Sequence, residues 1–162
     1  MHVVGVEERK SVNIMGHNSP EWVQAFMGTM SYNCICSGIY ATNNADSCLY
    51  QCEHSEAQLV VVDSFEQLKK FMVNRAKLTQ VKAFVIYNQD KMPNEYKDKN
   101  CYLWNDFLAL GKNVKDEIIN EKISRIKPGM TAILIYTSGT TGRPKACMLT
   151  HDNANWTVES AY

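Results

Sequence analysis

A segment of ten residues, YTSGTTGRPK from Tyr136 to Lys145, places glycines, hydroxyl side chains and a cation directly after the apolar run AILI. Glycine has no Cβ, so the backbone amides beside it can approach a ligand closely. The hydroxyls and amides donate hydrogen bonds and the lysine adds a positive charge, a combination that suits phosphate oxyanions. Hydrogen bonds to a charged partner contribute about 1.5 to 3 kcal/mol each, so a few of them could hold a phosphate tail after its desolvation. The segment therefore predicts a polyphosphate site formed by Thr137, Ser138, Gly139, Thr140, Thr141, Gly142 and Lys145.

The segment differs from the common P-loop, in which a lysine and then a serine or threonine directly follow the second glycine. Here Gly142 is followed by Arg143 and Pro144. The sequence therefore excludes an ordinary P-loop kinase or GTPase. On composition alone, a surface turn rich in Ser, Thr and Gly that binds nothing is the alternative.

The elements that must position this segment begin with a short apolar run at residues 12–16. Ser19 and Pro20 follow, and these residue types suit the N-cap and the first position of a helix. Apolar residues at positions 22, 23, 26, 27 and 30 predict that one face of this helix packs inward. An extended run resumes at residues 37–40 and completes a strand, helix, strand unit.

The same pattern repeats along the chain, with Asn44 and Ser64 as predicted helix caps and apolar runs at residues 59–63 and 83–87. Strands that are apolar throughout are typical of a sheet covered on both faces. Repeated crossovers of this kind predict an α/β fold with a mostly parallel sheet and flanking helices.

The later part of the chain leads into the candidate site. Residues 88–100 predict a surface loop, and residues 102–110 and 114–126 have helical periodicity. A strand at residues 131–136 then runs straight into the candidate segment. The segment is therefore expected at the carboxyl end of a buried strand, which is where open α/β sheets bind ligands.

Charge and hydropathy restrict the possible partners. The 17 basic and 17 acidic residues balance, which argues against bulk attraction to nucleic acid or to an anionic membrane. No apolar stretch approaches the roughly 18 to 20 residues that cross a bilayer, and the first residues lack the features of a secretory signal. The chain is expected in the cytoplasm without a transmembrane segment, and peripheral association with membranes is left open.

Six cysteines raise the alternatives of a disulfide framework or a zinc site, because Cys34 and Cys36 precede the pair Cys48 and Cys52. The first pair lies in a predicted strand and the second in a predicted helix, without the glycines that shape a zinc knuckle. Reduced core thiols are predicted instead, and no metal ligand is assigned.

The histidines lack an identifiable acidic partner in the sequence. His17, His54 and His151 are therefore predicted to be structural, and Asp152 is predicted to complement the dipole of the helix that it opens. No residue is assigned a catalytic role.

The longer stretch YTSGTTGRPKACMLTH, residues 136–151, resembles the phosphate-loop signature of the AMP-forming adenylating superfamily. This superfamily includes acyl-CoA synthetases, luciferases and the adenylation domains of peptide synthetases. NSPEW at residues 18–22 is similar to a helix entry common in the superfamily. GIYATNNADSCLYQCEHSEAQLVVVD, residues 38–63, resembles the bubblegum-type long-chain fatty acyl-CoA synthetases. The resemblance implies that the seven predicted residues grip the β- and γ-phosphates of ATP, and it carries no role over to Arg143.

The resemblance also implies a reaction. A long-chain fatty carboxylate would attack the α-phosphate of ATP to give an acyl-adenylate and pyrophosphate, and coenzyme A would then displace AMP. ATP, Mg²⁺ and coenzyme A are the implied cofactors, and the fatty acid and the nucleotide are the implied partners. The loop would position the triphosphate and neutralise charge on the departing pyrophosphate, with Mg²⁺ sharing that role.

The later motifs of the superfamily, which contact adenine and ribose and supply a catalytic lysine on a mobile C-terminal domain, are not among the 162 residues. Residues 1–162 are therefore expected to be an incomplete portion of the large N-terminal domain and to be inactive alone. Three interpretations are left open. The chain is a fragment of a long-chain fatty acid–CoA ligase, a short protein that binds a nucleotide or a paralogue without catalysis, or a partly folded remnant with exposed apolar surface.

Overall fold

The computed structural model describes residues 1–97, 99–137 and 142–161, which form a seven-stranded sheet with helices packed against it. The spatial order of the strands is β5-β4-β3-β1-β2-β6-β7, and every neighbouring pair is parallel except β6 with β7. Along the chain the elements are β1 (Ser11–Met15), α1 (Pro20–Ser31), β2 (Ile35–Ile39), α2 (Ala45–His54), β3 (Ala57–Val62), α3 (Phe65–Met72), β4 (Ala83–Ile86), a short 3-10 turn (Asn94–Tyr96), β5 (Cys101–Leu103), α4 (Trp104–Leu110), α5 (Asp116–Ser124), β6 (Thr131–Thr137), β7 (Lys145–Thr150) and α6 (His151–Ser160).

The first three helices begin where their caps were predicted. The Ser19 hydroxyl accepts a hydrogen bond from the Trp22 amide at 3.1 Å, and Asn44 accepts one from the Ser47 amide at 2.9 Å. Ser64 does the same for the Gln67 amide at 3.4 Å. Each side chain satisfies a backbone donor that the helix itself leaves free. The predicted starts of α1, α2 and α3 are confirmed.

Alternate residues of the inner strands enter two separate hydrophobic cores. In β3, Val60 and Val62 pack with Leu68 and Phe71 of α3, whereas Leu59 and Val61 pack on the other face with Val12 and Ile14 of β1 and with residues of α1, α4 and α5. Strands β1, β3 and β4 are buried along their whole length. The prediction of a mostly parallel sheet covered on both faces is confirmed for these strands.

The prediction for the inner face of α1 is partly wrong. Trp22 and Phe26 pack against the core, as expected, but Val23 and Met27 are 53% and 52% exposed. Each helical residue advances by about 100°. The buried stripe is centred on Trp22, Ala25, Phe26 and Thr29, and Val23 and Met27 lie beyond its edge.

The prediction of helix over residues 102–110 is wrong at its start. Residues 101–103 form β5, which pairs with β4 through Phe84 opposite Cys101 and Ile86 opposite Leu103. The helix begins only at Trp104, and the second predicted helix is shortened to Asp116–Ser124. Residues 101–103 are too few to distinguish the helical period from the strand period. Their pairing with β4 makes them a strand.

The hairpin of β6 and β7 is less covered than the inner strands. Ile135 of β6 is 44% exposed and Met148 of β7 is 68% exposed. The expectation that strands are covered on both faces therefore fails for this hairpin. Strand β7, which the sequence patterns did not predict, forms one edge of the sheet. None of the helices in the described ranges is long and apolar enough to span a bilayer.

The six thiols fall into two groups. Cys34, Cys36, Cys48, Cys52 and Cys101 are buried, as expected of core thiols, whereas Cys147 on β7 is exposed. Burial raises the pKa of Cys36 and Cys52 to about 12 and that of Cys34, Cys48 and Cys101 to about 11. The buried thiols are therefore both shielded and protonated at neutral pH.

A thiol-specific reagent should distinguish these groups, because the thiolate is the reactive form. We expect Ellman's reagent to modify one thiol of the native chain rapidly and all six after denaturation. Cys147→Ser should abolish the rapid phase. Rapid reaction of several thiols in the native Cys147→Ser chain would contradict the burial of the other five.

Candidate functional site

The predicted phosphate loop connects β6 to β7 at the carboxyl edge of the parallel strands. β6 ends at Thr137 and β7 begins at Lys145, and the two residues lie opposite each other in the pairing register. Both side chains are exposed. The structure therefore brings Thr137 and Lys145 together at the end of the hairpin, where a ligand can reach them. The predicted residues Ser138, Gly139, Thr140 and Thr141 lie outside the described residues.

Gly142 has the backbone conformation that requires glycine at this loop. Its φ is +153°, a value that residues with a Cβ rarely adopt. Among the described residues, no atom would lie within 4 Å of a Cβ built at this position. The requirement for glycine therefore comes from the backbone conformation.

The strand that enters the loop is held through the phenol of Tyr136, which is 4% exposed. Its Oη lies 2.9 Å from Nδ1 of His54 and 3.4 Å from the carbonyl oxygen of Gln51. Burial raises the pKa of the Tyr136 phenol to about 12, with a smaller contribution from the nearby Tyr50. Tyr136 is therefore a neutral hydrogen-bonding group at physiological pH.

The chain that leaves the loop is held through Tyr50. The Tyr50 hydroxyl donates a hydrogen bond of 2.9 Å to the carbonyl oxygen of Pro144. The guanidinium carbon of Arg143 lies 5.2 Å from the centre of the same ring, within the range of a cation–π interaction. Tyr50 therefore contacts two consecutive residues directly before Lys145.

Sheet topology explains why α2 reaches the loop. Helix α2 follows β2, and β2 pairs in parallel with β6. Parallel neighbours end at the same edge of the sheet, so the helix that begins after one strand lies beside the loop that follows the other. The rings of Tyr50 and His54 lie 5.4 Å apart, and those of His54 and Tyr136 lie 5.7 Å apart. Three aromatic rings thus form a continuous contact between α2 and the hairpin.

A cavity of about 470 Å³ adjoins the entering strand. Its wall includes consecutive residues of β6, 133–136, together with Trp22 and Phe26 of α1 and Gly16 at the end of β1. This volume lies within the range of small-molecule pockets, and the wall is mainly apolar. The hairpin therefore carries the polar loop at its end, and its strand β6 forms part of the wall of an apolar cavity.

Two further histidines, His151 and His17, were predicted to be structural. His151 opens α6 behind the cap residue Thr150, at the opposite end of β7 from Lys145. Burial, with a smaller effect of Arg9, lowers the pKa of its imidazole. Asp152 lies in the first turn of α6, where a carboxylate complements the helix dipole. His17 lies after β1, with its Nδ1 3.2 Å from a carboxylate oxygen of Asp63.

Within the parts of the chain that the structure describes, no group of three or more His, Cys, Asp or Glu side chains could hold a metal ion.

Comparison with known proteins decides the family. The model of the AMP-binding enzyme family matches residues 1–162. The chain belongs to the AMP-binding enzyme family. In this member of the family, the segment between β6 and β7 is the one that resembles the phosphate-loop signature.

Curated relatives of the chain include long-chain-fatty-acid–CoA ligases. The chain is 40% identical over 160 residues to the ligase ACSBG2 of Xenopus laevis, covering 98% of this chain and 21% of that protein. It is 38% identical over 154 residues to ACSBG2 of Homo sapiens, covering 94% of this chain and 22% of that protein. It is also 38% identical over 155 residues to ACSBG1 of Rattus norvegicus, covering 96% of this chain and 21% of that protein. The predicted resemblance to long-chain ligases is confirmed, and the chain spans about a fifth of the length of these relatives.

Solved structures share the fold of the chain. A luciferase-like enzyme from Zophobas morio matches with a TM-score of 0.74 and 17% identity, over 97% of this chain and 34% of its own. The anthranilate CoA ligase AuaEII matches with a TM-score of 0.72 and 21% identity, over 96% of this chain and 28% of its own. At these identities the likeness concerns the fold alone, and it confirms the predicted α/β class.

The sequence patterns did not single out Tyr50, and they predicted a structural role for His54 without identifying its partner. The two residues are four positions apart on α2, a spacing that puts both on one helix face. That spacing was a usable signal for a polar, aromatic face. Their partners lie 94 and 82 positions away along the chain, so the sequence pattern alone could not identify what this face contacts.

Proposed function

We propose that this chain belongs to a long-chain fatty acid–CoA ligase and forms the part of its N-terminal domain that binds the phosphates of ATP. The observation that carries the proposal is the identity of 38% to 40%, over nearly the whole chain, to ligases of this kind. The hairpin loop at the carboxyl edge of the sheet supports it, because this is the usual ligand-binding edge of α/β folds.

The proposed binding residues are Thr137, Ser138, Gly139, Thr140, Thr141, Gly142 and Lys145. Their hydroxyls and backbone amides would donate hydrogen bonds to the β- and γ-phosphates, and Lys145 would contribute a positive charge. The glycines allow the backbone to approach the phosphates closely. These groups fix the triphosphate and stabilise the charge on departing pyrophosphate without acting as nucleophile or base.

The proposed reaction joins a long-chain fatty acid to coenzyme A with ATP as the energy source. A carboxylate is a poor electrophile, and its conversion to an acyl-adenylate makes AMP the leaving group when the thiol of coenzyme A attacks. Mg²⁺ would enter bound to the phosphates of ATP, where it neutralises charge. The described residues offer no dedicated ligand cluster for it, so we assign it no protein ligand.

We further propose that residues 1–162 are only a portion of the N-terminal domain and do not complete the reaction alone. The chain matches about a fifth of the length of ligases such as ACSBG2, and the groups that bind adenine and ribose are expected in other parts of such proteins. We place the protein in the cytoplasm.

The test uses the protein translated from the complete reading frame that contains these residues, called the complete protein below. We expect exchange of labelled pyrophosphate into ATP that depends on a long-chain fatty acid such as palmitate, and acyl-CoA formation once coenzyme A is added. Acetate serves as the matched short carboxylate, and the 162-residue chain should give no exchange. ATP binding without fatty-acid-dependent exchange would instead favour a nucleotide-binding protein that lacks catalysis.

A further inference from the structure

We propose that helix α2 anchors the phosphate loop, with Tyr50 and His54 as positioning residues for the two ends of the loop. The inference rests on the proposed function, because it assumes that the loop binds the β- and γ-phosphates of ATP. It goes beyond that function, since neither residue belongs to the loop or to its signature.

The two ends of the loop reach the same part of α2. Pro144 at the exit of the loop accepts a hydrogen bond from Tyr50, at 2.9 Å. Tyr136 at the entry contacts His54 at 2.9 Å and the carbonyl oxygen of Gln51 at 3.4 Å. Residues 50, 51 and 54 lie within about one turn of helix. One short, regular stretch of backbone therefore fixes both ends of a loop rich in glycine and hydroxyl residues.

Each anchor is one residue away from a proposed phosphate contact. Tyr136 directly precedes Thr137, and Pro144 directly precedes Lys145. A peptide unit is planar, so fixing one residue limits the directions available to the next. Fixing a residue in one conformation costs conformational entropy. Holding Tyr136 and Pro144 in place through α2 therefore reduces the part of this cost that falls on ATP binding.

The Tyr136 hydroxyl connects the entry of the loop to two groups of α2. The raised pKa keeps the phenol of Tyr136 protonated, so it can donate one hydrogen bond and also accept one. Its oxygen lies 2.9 Å from Nδ1 of His54 and 3.4 Å from the carbonyl oxygen of Gln51. Phenylalanine at position 54 would remove the nitrogen that takes part in the shorter contact.

Among the described residues, the exit of the loop is joined to α2 by one hydrogen bond. Proline has no backbone N–H, and the bond runs from the hydroxyl of Tyr50 to the carbonyl oxygen of Pro144. Phenylalanine at position 50 would keep the ring that packs on His54 and Arg143 while removing this donor. The Tyr50→Phe variant therefore separates anchoring from packing.

The test compares ATP and AMP binding to the complete protein by calorimetry, because AMP lacks the β- and γ-phosphates. Tyr50→Phe should weaken ATP binding about 3- to 10-fold, the usual effect of one hydrogen bond, and leave AMP binding and the melting temperature unchanged. His54→Phe, which keeps an aromatic ring, should show the same selective loss. Tyr102→Phe on β5, remote from the loop, is the matched control.

Two results would overturn the anchoring role. One is unchanged ATP affinity in both variants, and the other is an equal loss of ATP and AMP affinity, which would indicate a general structural effect. Lys145→Ala separates this inference from the proposed function. If Lys145→Ala weakens ATP binding and the α2 variants do not, the anchor alone is wrong. If Lys145→Ala also has no effect, the phosphate-binding role of the loop is wrong. The proposed anchoring role of Tyr50 and His54 is then wrong as well.

Discussion

Replacing Lys145 with alanine is expected to weaken ATP binding by the complete protein about 10- to 100-fold. Lys145 is the first residue of β7, is exposed, and lies opposite Thr137 at the base of the loop. Its ammonium group would make a charge-assisted hydrogen bond to a phosphate oxygen, and alanine removes both the charge and the donor. Titration calorimetry with ATP and Mg²⁺ measures the loss directly.

The stability of the fold should not change in this variant, because an exposed side chain on an edge strand contributes little to the core. Lys112→Ala, at an exposed position after α4, removes the same charge elsewhere and should leave ATP affinity unchanged. Lys145→Arg should recover part of the affinity, since it keeps the charge but changes the geometry of the donors. Equal losses in Lys112→Ala and Lys145→Ala would indicate a nonspecific effect of net charge and would contradict the assigned role.

Replacing Gly16 with alanine is expected to lower the free energy of unfolding by about 2 to 4 kcal/mol. Gly16 follows β1 and touches the ends of β3 and β4. A Cβ at this position would overlap the hydroxyl of Tyr87 and would lie 2.7 Å from Cβ of Asp63. The Asp63 atom is attached directly to the backbone, so the strand end itself would have to move. Urea denaturation followed by circular dichroism measures the change.

Gly38→Ala on β2 is the matched control for this prediction. A Cβ at Gly38 would have none of the described atoms within 4 Å, and alanine costs less conformational entropy than glycine in a strand. This variant should be as stable as the original chain or slightly more stable. Equal destabilisation by the two substitutions would show that close approach at Gly16 is not what requires glycine there.

The part of the fold that the sequence predicted depends on local interactions. A serine or asparagine cap acts on an amide three residues away, so Ser19, Asn44 and Ser64 could be assigned from their neighbours alone. The inner strands were recognisable because burial on both faces demands continuous apolar residues, as in β3 and β4. The position of the candidate loop followed from these assignments, because it comes directly after β6.

The elements that the sequence patterns missed depend on distant partners. Tyr102 fits a helical or an extended pattern equally well, and its pairing with Val85 of β4 makes it part of a strand. Strand β7 has exposed and half-buried residues with no clear apolar period, and it is a strand because it pairs with β6. The hydrogen bond from Tyr50 to Pro144 joins residues 94 positions apart. Such contacts are properties of the assembled sheet and leave no local pattern.

The hairpin that carries the loop has few pairing positions with the rest of the sheet. β6 is in register with β2 at two positions, Cys36 with Ile133 and Ser37 with Leu134, whereas β1 is in register with β2 at five. Elements with fewer buried contacts open more often in the native state. Amide hydrogens of β6 and β7 are therefore expected to exchange with solvent faster than those of β1 and β3.

Local opening of this hairpin would also be coupled to nucleotide binding. A ligand that binds only the closed form shifts the equilibrium towards it. In the complete protein, ATP should slow hydrogen exchange in β6 and β7 more than in β1 and β3, and a uniform effect across the sheet would contradict this coupling. The free energy needed to close the hairpin would then reduce the observed affinity for ATP. Substitutions that stabilise the contact between β2 and β6 should therefore raise this affinity, even where the substituted residue does not contact the nucleotide.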